Sequence, residues 1–144
     1  GHKELKEIMD NPPANVKFIG IVPRNEMNQI FNMTDALFMP SFSELFPMSI
    51  LEAVNSFKPV VLRDLDLYRD ILFEKYERGN NVDEWVEIFK KLKDDPSYLA
   101  KAKENSKYIS DFYSQEHVNE IWREYYPRIY NKYLENGKKK FSKR

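Results

Sequence analysis

Short, mostly apolar runs recur along the first half of the chain, and a helical pattern follows each of them. The runs are VKFI at 16–19, ALFM at 36–39 and PVVL at 59–62. A short continuous apolar run is typical of a strand buried on both faces. The alternation of such strands with helices at 24–33, 47–57 and 65–72 favours parallel β-α-β units. The sequence therefore predicts an α/β fold with a thin, three-stranded parallel sheet.

The second half of the chain is predicted to be helical, over residues 82–94, 97–113 and 115–135. The last of these helices carries an apolar and aromatic stripe and contains Pro127, which we expect to kink it. Residues 3–10 resemble the end of a helix. His2 follows Gly1 at a start without Met, so residues 1–2 are interpreted as an expression scar.

Several classes of site are excluded by composition. The chain has no cysteine, which removes disulfides, thiolate metal sites and thiol nucleophiles. Its four glycines are too far apart for a glycine-rich phosphate loop. Outside the scar His117 is the only histidine, too little for a His-rich metal site. We therefore expect neither a metal site nor a cofactor.

The net charge of zero hides an asymmetry between the two ends of the chain. Residues 1–99 carry a net charge of −5, and residues 100–144 carry +5. Basic residues at the carboxyl end alternate with Trp and Tyr, a composition that fits an anionic membrane surface or nucleic acid. A solvated, frayed tail has the same composition, and this alternative stays open.

Residues 40–52, PSFSELFPMSILE, form the segment with the clearest chemistry. The segment follows a predicted buried strand and leads into a helix, the place where open α/β sheets bind ligands. We expect Pro47 at the first helical position, where its missing N–H costs nothing. The amides of Met48, Ser49 and Ile50 are then helix N-terminal donors that can hold an anion without a glycine loop.

Two carboxylates, Glu44 and Glu52, flank this predicted anion site. They would repel a phosphate, but carboxylates accept hydrogen bonds from hydroxyl groups. A ligand that carries both phosphate and vicinal hydroxyls, such as a sugar nucleotide, satisfies the amides and the carboxylates together. The alternative is that Glu44 is an ordinary helix N-terminal acid and Glu52 a surface acid.

An ordered series of motifs carries a family resemblance. The series is GIVP at 20–23, TDALFMPS at 34–41, Glu44 and Glu52 in E-x7-E spacing, and KPVV at 58–61. Over residues 14–72 it resembles the Rossmann-like, nucleotide-sugar-binding C-terminal domain of retaining GT-B glycosyltransferases of family 4. The helical tail resembles the family in layout. LRDLDLY at 62–68 is similar to a branch of bacterial enzymes that glycosylate diacylglycerol lipids.

The resemblance implies a role for each candidate residue. Glu44 would be catalytic and contact the hydroxyls of the donor sugar, and Glu52 would bind the ribose hydroxyls. The amides of Met48, Ser49 and Ile50 would hold the diphosphate beside Phe46, and backbone groups of Ile21 and Val22 would face the base. Leu45 and Pro47 stand where the family often has glycines, so the sugar contacts are expected to differ there.

The resemblance also implies an organisation. Residues 3–113 would be part of the donor-binding domain, 114–136 a kinked helix that crosses back, and 137–144 a basic tail. The parent enzyme would transfer a glucose-like sugar from a nucleoside diphosphate to an acceptor held by a missing N-terminal domain. It would work in the cytoplasm or at the inner face of the membrane, without nucleic acid. The alternative is a non-catalytic interaction subunit with the same fold.

Overall fold

A computed structural model of the chain describes residues 2–141, with side chains for residues 4–135. The helices and strands alternate up to residue 79 and are followed by three helices. In chain order the elements are α1 (His2–Asp10), a 3₁₀ turn (Arg24–Glu26), α2 (Met27–Met33), β1 (Leu37–Met39), α3 (Met48–Asn55), β2 (Val60–Arg63), α4 (Asp66–Ile71), β3 (Glu77–Gly79), α5 (Val82–Asp94), α6 (Pro96–Phe112) and α7 (Gln115–Phe141).

The three strands form one parallel sheet in the order β1-β2-β3. Met39 of β1 lies opposite Leu62 of β2, and Arg63 of β2 lies opposite Gly79 of β3. All three strands therefore end at the same edge of the sheet. The predicted α/β fold with a Rossmann-like parallel sheet and a helical C-terminal part is confirmed.

The central strand β2 packs against helices on both of its faces. Val60 and Leu62 belong to a buried cluster with residues of α2, α3 and α4. Val61 points to the other face, where it meets Trp85 and other buried residues of α5 and α6. This alternation explains why the strand appears in the sequence as an unbroken apolar run, since neither face meets water.

The position of the third strand was wrongly predicted. Residues 16–19 form no strand, because Val16, Phe18 and Ile19 are 41–54% exposed and no neighbouring strand pairs with them. The third strand is instead β3, whose sequence Glu-Arg-Gly has no apolar pattern. Gly79 is required there, because an added Cβ would lie 2.8 Å from Cδ1 of Trp85. The Trp85 indole also donates to the Gly79 carbonyl at 2.9 Å.

Helix α7 runs as one helix from Gln115 to Phe141 and contains Pro127 in its interior. It carries an exposed aromatic surface, in which Trp122 stacks on Tyr126 at a ring distance of 5.0 Å. Residues 137–141 of the predicted basic tail belong to this helix, and residues 142–144 lie outside the described residues, as does Gly1. Of the described helices, none is both long enough and apolar enough to cross a membrane.

Candidate functional site

The carboxyl ends of the three strands meet at one edge of the sheet, and the segment 40–47 leaves this edge directly after β1. Helix α3 then begins at Met48. The Ser49 hydroxyl donates to the Met39 sulfur at 3.6 Å, so the first turn of α3 lies against the last residue of β1. The helix N-terminus is thereby held at the edge where parallel sheets bind their ligands.

The first turn of α3 differs from the prediction in one detail. Pro47 is the N-cap residue, with φ −77° and ψ 107°, and is not the first helical residue. Its carbonyl accepts a hydrogen bond from the Ile50 amide at 3.1 Å, so this predicted anion donor already has a partner. The amides of Met48 and Ser49 remain as the donors without an intrahelical acceptor.

The two candidate acidic residues precede and follow this helix start along the chain. Glu44 is half-buried in the loop four residues before Met48. Glu52 is half-buried one turn into α3, about 6 Å along the axis from Met48. The chain between the two residues consists of the end of the loop and the first turn of α3. That the two carboxylates face one ligand at the α3 N-terminus stays a prediction.

Phe46 is placed in the same loop but is already in contact with protein. Its ring packs edge-on against Tyr113 at 5.9 Å, and the Tyr113 hydroxyl donates to the Ile71 carbonyl at 2.8 Å. Phe46 is still 42% exposed, so one part of the ring fixes the loop and the other part is accessible. Leu45 beside it is 92% exposed.

Ile21 and Val22 lie in the irregular segment before the 3₁₀ turn. Ile21 is fully exposed and Val22 is half-buried. Among the residues that the structure describes, no hydrogen bond joins either of them to the segment 40–52. Their predicted contact with the base therefore stays a prediction, and the strand that was expected to precede them is absent.

Arg63 is an important residue of this edge that the sequence analysis missed. At the end of β2, its side chain donates to the Pro40 carbonyl at 3.1 Å and to the Asn80 carbonyl at 3.0 Å. Its guanidinium also lies 3.8 Å from the centre of the Phe42 ring. Arg63 thus ties the start of the Glu44 loop to the end of β3. The sequence feature that could have indicated this role is an arginine at the end of an apolar strand run. From there its long planar cation can reach the ends of both neighbouring strands.

Asp64 follows Arg63 and forms a two-point ion pair with Arg69 of α4. The Arg69 Nε and Nη2 atoms lie 2.9 Å and 2.7 Å from the two carboxylate oxygens. These hydrogen bonds hold the pKa of Asp64 below its ordinary value. The N-cap of α4 is Leu65, and Asp64 fixes α4 to the end of β2 through Arg69.

Tyr68, in the first turn of α4, is fully buried. Its ring lies edge-on to that of Tyr76 at 6.0 Å. Its hydroxyl has no hydrogen-bond partner within the described part of the chain. Burial, followed by the negative charge of Glu44, raises the pKa of Tyr68 to about 12.

No three side chains of metal-ligating type lie together in the described part of the chain. Backbone donors at a helix N-terminus and carboxylate acceptors before and after it in the chain are group types that suit a ligand with hydroxyl groups and a negative charge.

A parallel sheet with helices on both faces and a helix N-terminus at its carboxyl edge defines a Rossmann-like α/β domain. Residues 2–108 match the family model described as "Glycosyl transferases group 1". The chain belongs to this family, which confirms the resemblance seen in the sequence.

The names of two curated relatives refer to the glycosylation of diacylglycerol. The chain is 41% identical over 128 residues to the alpha-galactosylglucosyldiacylglycerol synthase of Streptococcus pneumoniae. This alignment covers 89% of this chain and 34% of the relative. It is 32% identical over 90 residues to the processive diacylglycerol alpha-glucosyltransferase of Acholeplasma laidlawii. This alignment covers 61% of this chain and 27% of the relative. The chain thus spans about a third of the length of these relatives. No solved structure matches it significantly.

Proposed function

We propose that this chain is the donor-binding part of a retaining hexosyltransferase. The full-length protein would transfer a glucose-like sugar from a UDP-sugar to a lipid acceptor held by a preceding N-terminal domain. The lipid class follows the names of the two relatives and the sequence at 62–68. Residues 3–113 would form the donor-binding unit and residues 114–136 the helix that returns to the acceptor domain.

The observation that carries this proposal is the contact between the Ser49 hydroxyl and Met39. This contact holds the α3 N-terminus at the sheet edge, with Glu44 before the helix and Glu52 one turn into it. The Met48 and Ser49 amides and the positive end of the helix dipole favour the donor diphosphate. Glu52 accepts hydrogen bonds from the ribose hydroxyls, and Glu44 accepts them from the sugar hydroxyls.

The same groups suit the chemical step. The bond between the anomeric carbon and the diphosphate breaks, a bond to the acceptor oxygen forms, and the acceptor proton passes to the diphosphate. Negative charge grows on the departing diphosphate, so amides fixed in advance at the α3 N-terminus stabilise the transition state more than the ground state. Glu44 orients the sugar, which adds the advantage of proximity to the acceptor.

A calorimetric titration of the full-length protein with UDP and with UDP-glucose tests the proposal. We expect both ligands to bind, and Glu52→Gln to weaken both by about tenfold or more, since a hydrogen bond to a charged group contributes about 1.5–3 kcal/mol. Glu104→Gln, which alters an exposed ion pair with Lys101 on α6, serves as the matched control and should bind normally.

Absence of heat with any nucleoside diphosphate sugar, or unchanged binding by Glu52→Gln, would overturn the assignment. Absence of heat would favour the alternative, a non-catalytic interaction subunit that has the same fold but does not bind a nucleotide sugar. The substitution of Leu45 and Pro47 for glycines is the feature that supports this alternative.

We also propose that α7 places the protein at the inner face of the membrane as a peripheral protein. Trp122, Tyr126, Tyr130 and Tyr133 are 46–73% exposed on this helix, and Arg128 lies among them. Aromatic rings beside basic side chains suit the interface of an anionic bilayer.

Sedimentation with vesicles tests the role of α7 at the membrane. The full-length protein should pellet with vesicles that contain anionic lipid, and a version that lacks residues 128–144 should pellet several-fold less. Vesicles of neutral lipid are the control and should retain little of either form. Equal pelleting of the two forms with anionic vesicles would reject the helix end as an attachment site.

A further inference from the structure

The Tyr68 hydroxyl is a buried hydrogen-bond donor without an acceptor. Its side chain is fully buried, and no polar atom of the described residues bonds the hydroxyl. Buried hydroxyls are bonded in the large majority of cases, because an unbonded one costs stability. Phenylalanine would fill the same space without this cost, so packing alone does not account for a tyrosine at this position.

The neighbouring tyrosine shows the usual arrangement. Tyr76 lies edge-on to Tyr68 at a ring distance of 6.0 Å, and its hydroxyl donates to the Asp64 carboxylate at 3.4 Å. Asp64 is in turn held by Arg69. Two tyrosines therefore lie side by side behind the sheet edge, and only the hydroxyl of Tyr76 takes part in a hydrogen bond within the described residues.

Glu44 has the complementary property, an acceptor without a donor. Within the described residues, no hydrogen bond or ion pair reaches its carboxylate. Glu44 lies in the loop after β1, and Tyr68 lies in the first turn of the helix after β2, at the same edge of the sheet. Burial raises the pKa of Tyr68, and the negative charge of Glu44 adds to this effect, as expected for two groups at the same sheet edge.

The loop that carries Glu44 is fixed at its two ends and open in its middle. Arg63 bonds the carbonyl of Pro40 at the start, and Phe46 packs on Tyr113 near the end. Between these anchors, Phe42 and Leu45 are 82% and 92% exposed. The Phe42 ring is also contacted by the Arg63 guanidinium at 3.8 Å, so the stretch from Ser43 to Leu45 is the part of the loop between the anchors.

We propose that Tyr68 is a positioning residue, whose hydroxyl donates a hydrogen bond to the Glu44 carboxylate when a donor sugar is bound. The bond would hold one carboxylate oxygen so that the other meets the sugar hydroxyls. This inference rests on the proposed function, because it requires Glu44 to act on the sugar. It predicts that the hydroxyl matters for the sugar and not for the nucleotide.

The test is Tyr68→Phe in the full-length protein, with UDP affinity, UDP-glucose turnover and melting temperature measured together. We expect kcat to fall about tenfold, UDP affinity to stay within about twofold, and the melting temperature to stay equal or rise, since an unbonded buried hydroxyl is removed. Tyr76→Phe is the matched control. It loses a bonded hydroxyl, so its melting temperature should fall while its kcat is unchanged.

A double-mutant cycle adds a readout that a structural role would not give. In a Glu44→Gln background, Tyr68→Phe should lower kcat by less than about twofold further, because the two changes disable one interaction. The inference is overturned by a wild-type kcat in Tyr68→Phe, by an equal fall in the Glu44→Gln background, or by a loss of both melting temperature and UDP affinity. If Glu52→Gln still weakens UDP binding in those cases, the proposed function stands without the role of Tyr68.

Discussion

Glu44→Gln in the full-length protein should lower kcat for sugar transfer by about tenfold to a hundredfold, the largest catalytic effect that we expect from this chain. Glutamine keeps the size of the side chain but loses the charge and one acceptor oxygen. Hydrogen bonds to charged groups contribute about 1.5–3 kcal/mol, and each 1.36 kcal/mol is about a tenfold change in rate.

The affinity of Glu44→Gln for UDP should stay within about twofold of the wild type, because UDP has no sugar for Glu44 to contact. Initial-rate kinetics with UDP-glucose and a separate UDP titration measure the two effects. Glu87→Gln on α5, whose ion pair with Lys90 is exposed on the other face of the sheet, is the control and should react normally. A wild-type kcat in Glu44→Gln would remove Glu44 from the mechanism.

Leu62→Ala should give the largest loss of stability, about 2–5 kcal/mol in the free energy of unfolding. Leu62 lies on the central strand and is 0% solvent-exposed. It belongs to one buried cluster with Val60, Tyr68 and Tyr76. Alanine leaves a cavity that the flanking strands cannot close without breaking their ladder. Small domains are stable by about 5–15 kcal/mol, so this change removes much of the total.

Urea denaturation followed by circular dichroism measures this loss. Leu5→Ala on α1 is the matched control, because Leu5 is 52% exposed and the same truncation there should cost less than about 0.5 kcal/mol. An equal loss in the two variants would show that the core is not centred on β2.

Strands β1 and β2 and the helices around them could be predicted from the sequence, because each strand appears as a short apolar run. Only β2 is buried on both faces, since Phe38 of β1 is 42% exposed. The position of the segment 40–52 between a strand end and a helix start could also be predicted, since it is visible as an apolar run, a loop and Pro47. Strand β3 could not, because Glu77, Arg78 and Gly79 form a strand only through the ladder that they share with β2. Residues 16–19 were predicted as a strand because they form an apolar run. They are not one in the structure, because they do not pair with the sheet formed by β1, β2 and β3.

The sequence by itself determined the alternation of strands and helices and the order of Glu44, the α3 N-terminus and Glu52, because periodicity and spacing are properties of neighbouring residues. Only the tertiary structure decided which amides remain available, since the Ile50 amide is taken by Pro47. It alone brought Arg63 to the carbonyls of Pro40 and Asn80, and left the hydroxyl of Tyr68 without a partner among the described residues. These contacts join residues far apart in the chain, and local pattern carries no information about which distant groups will meet.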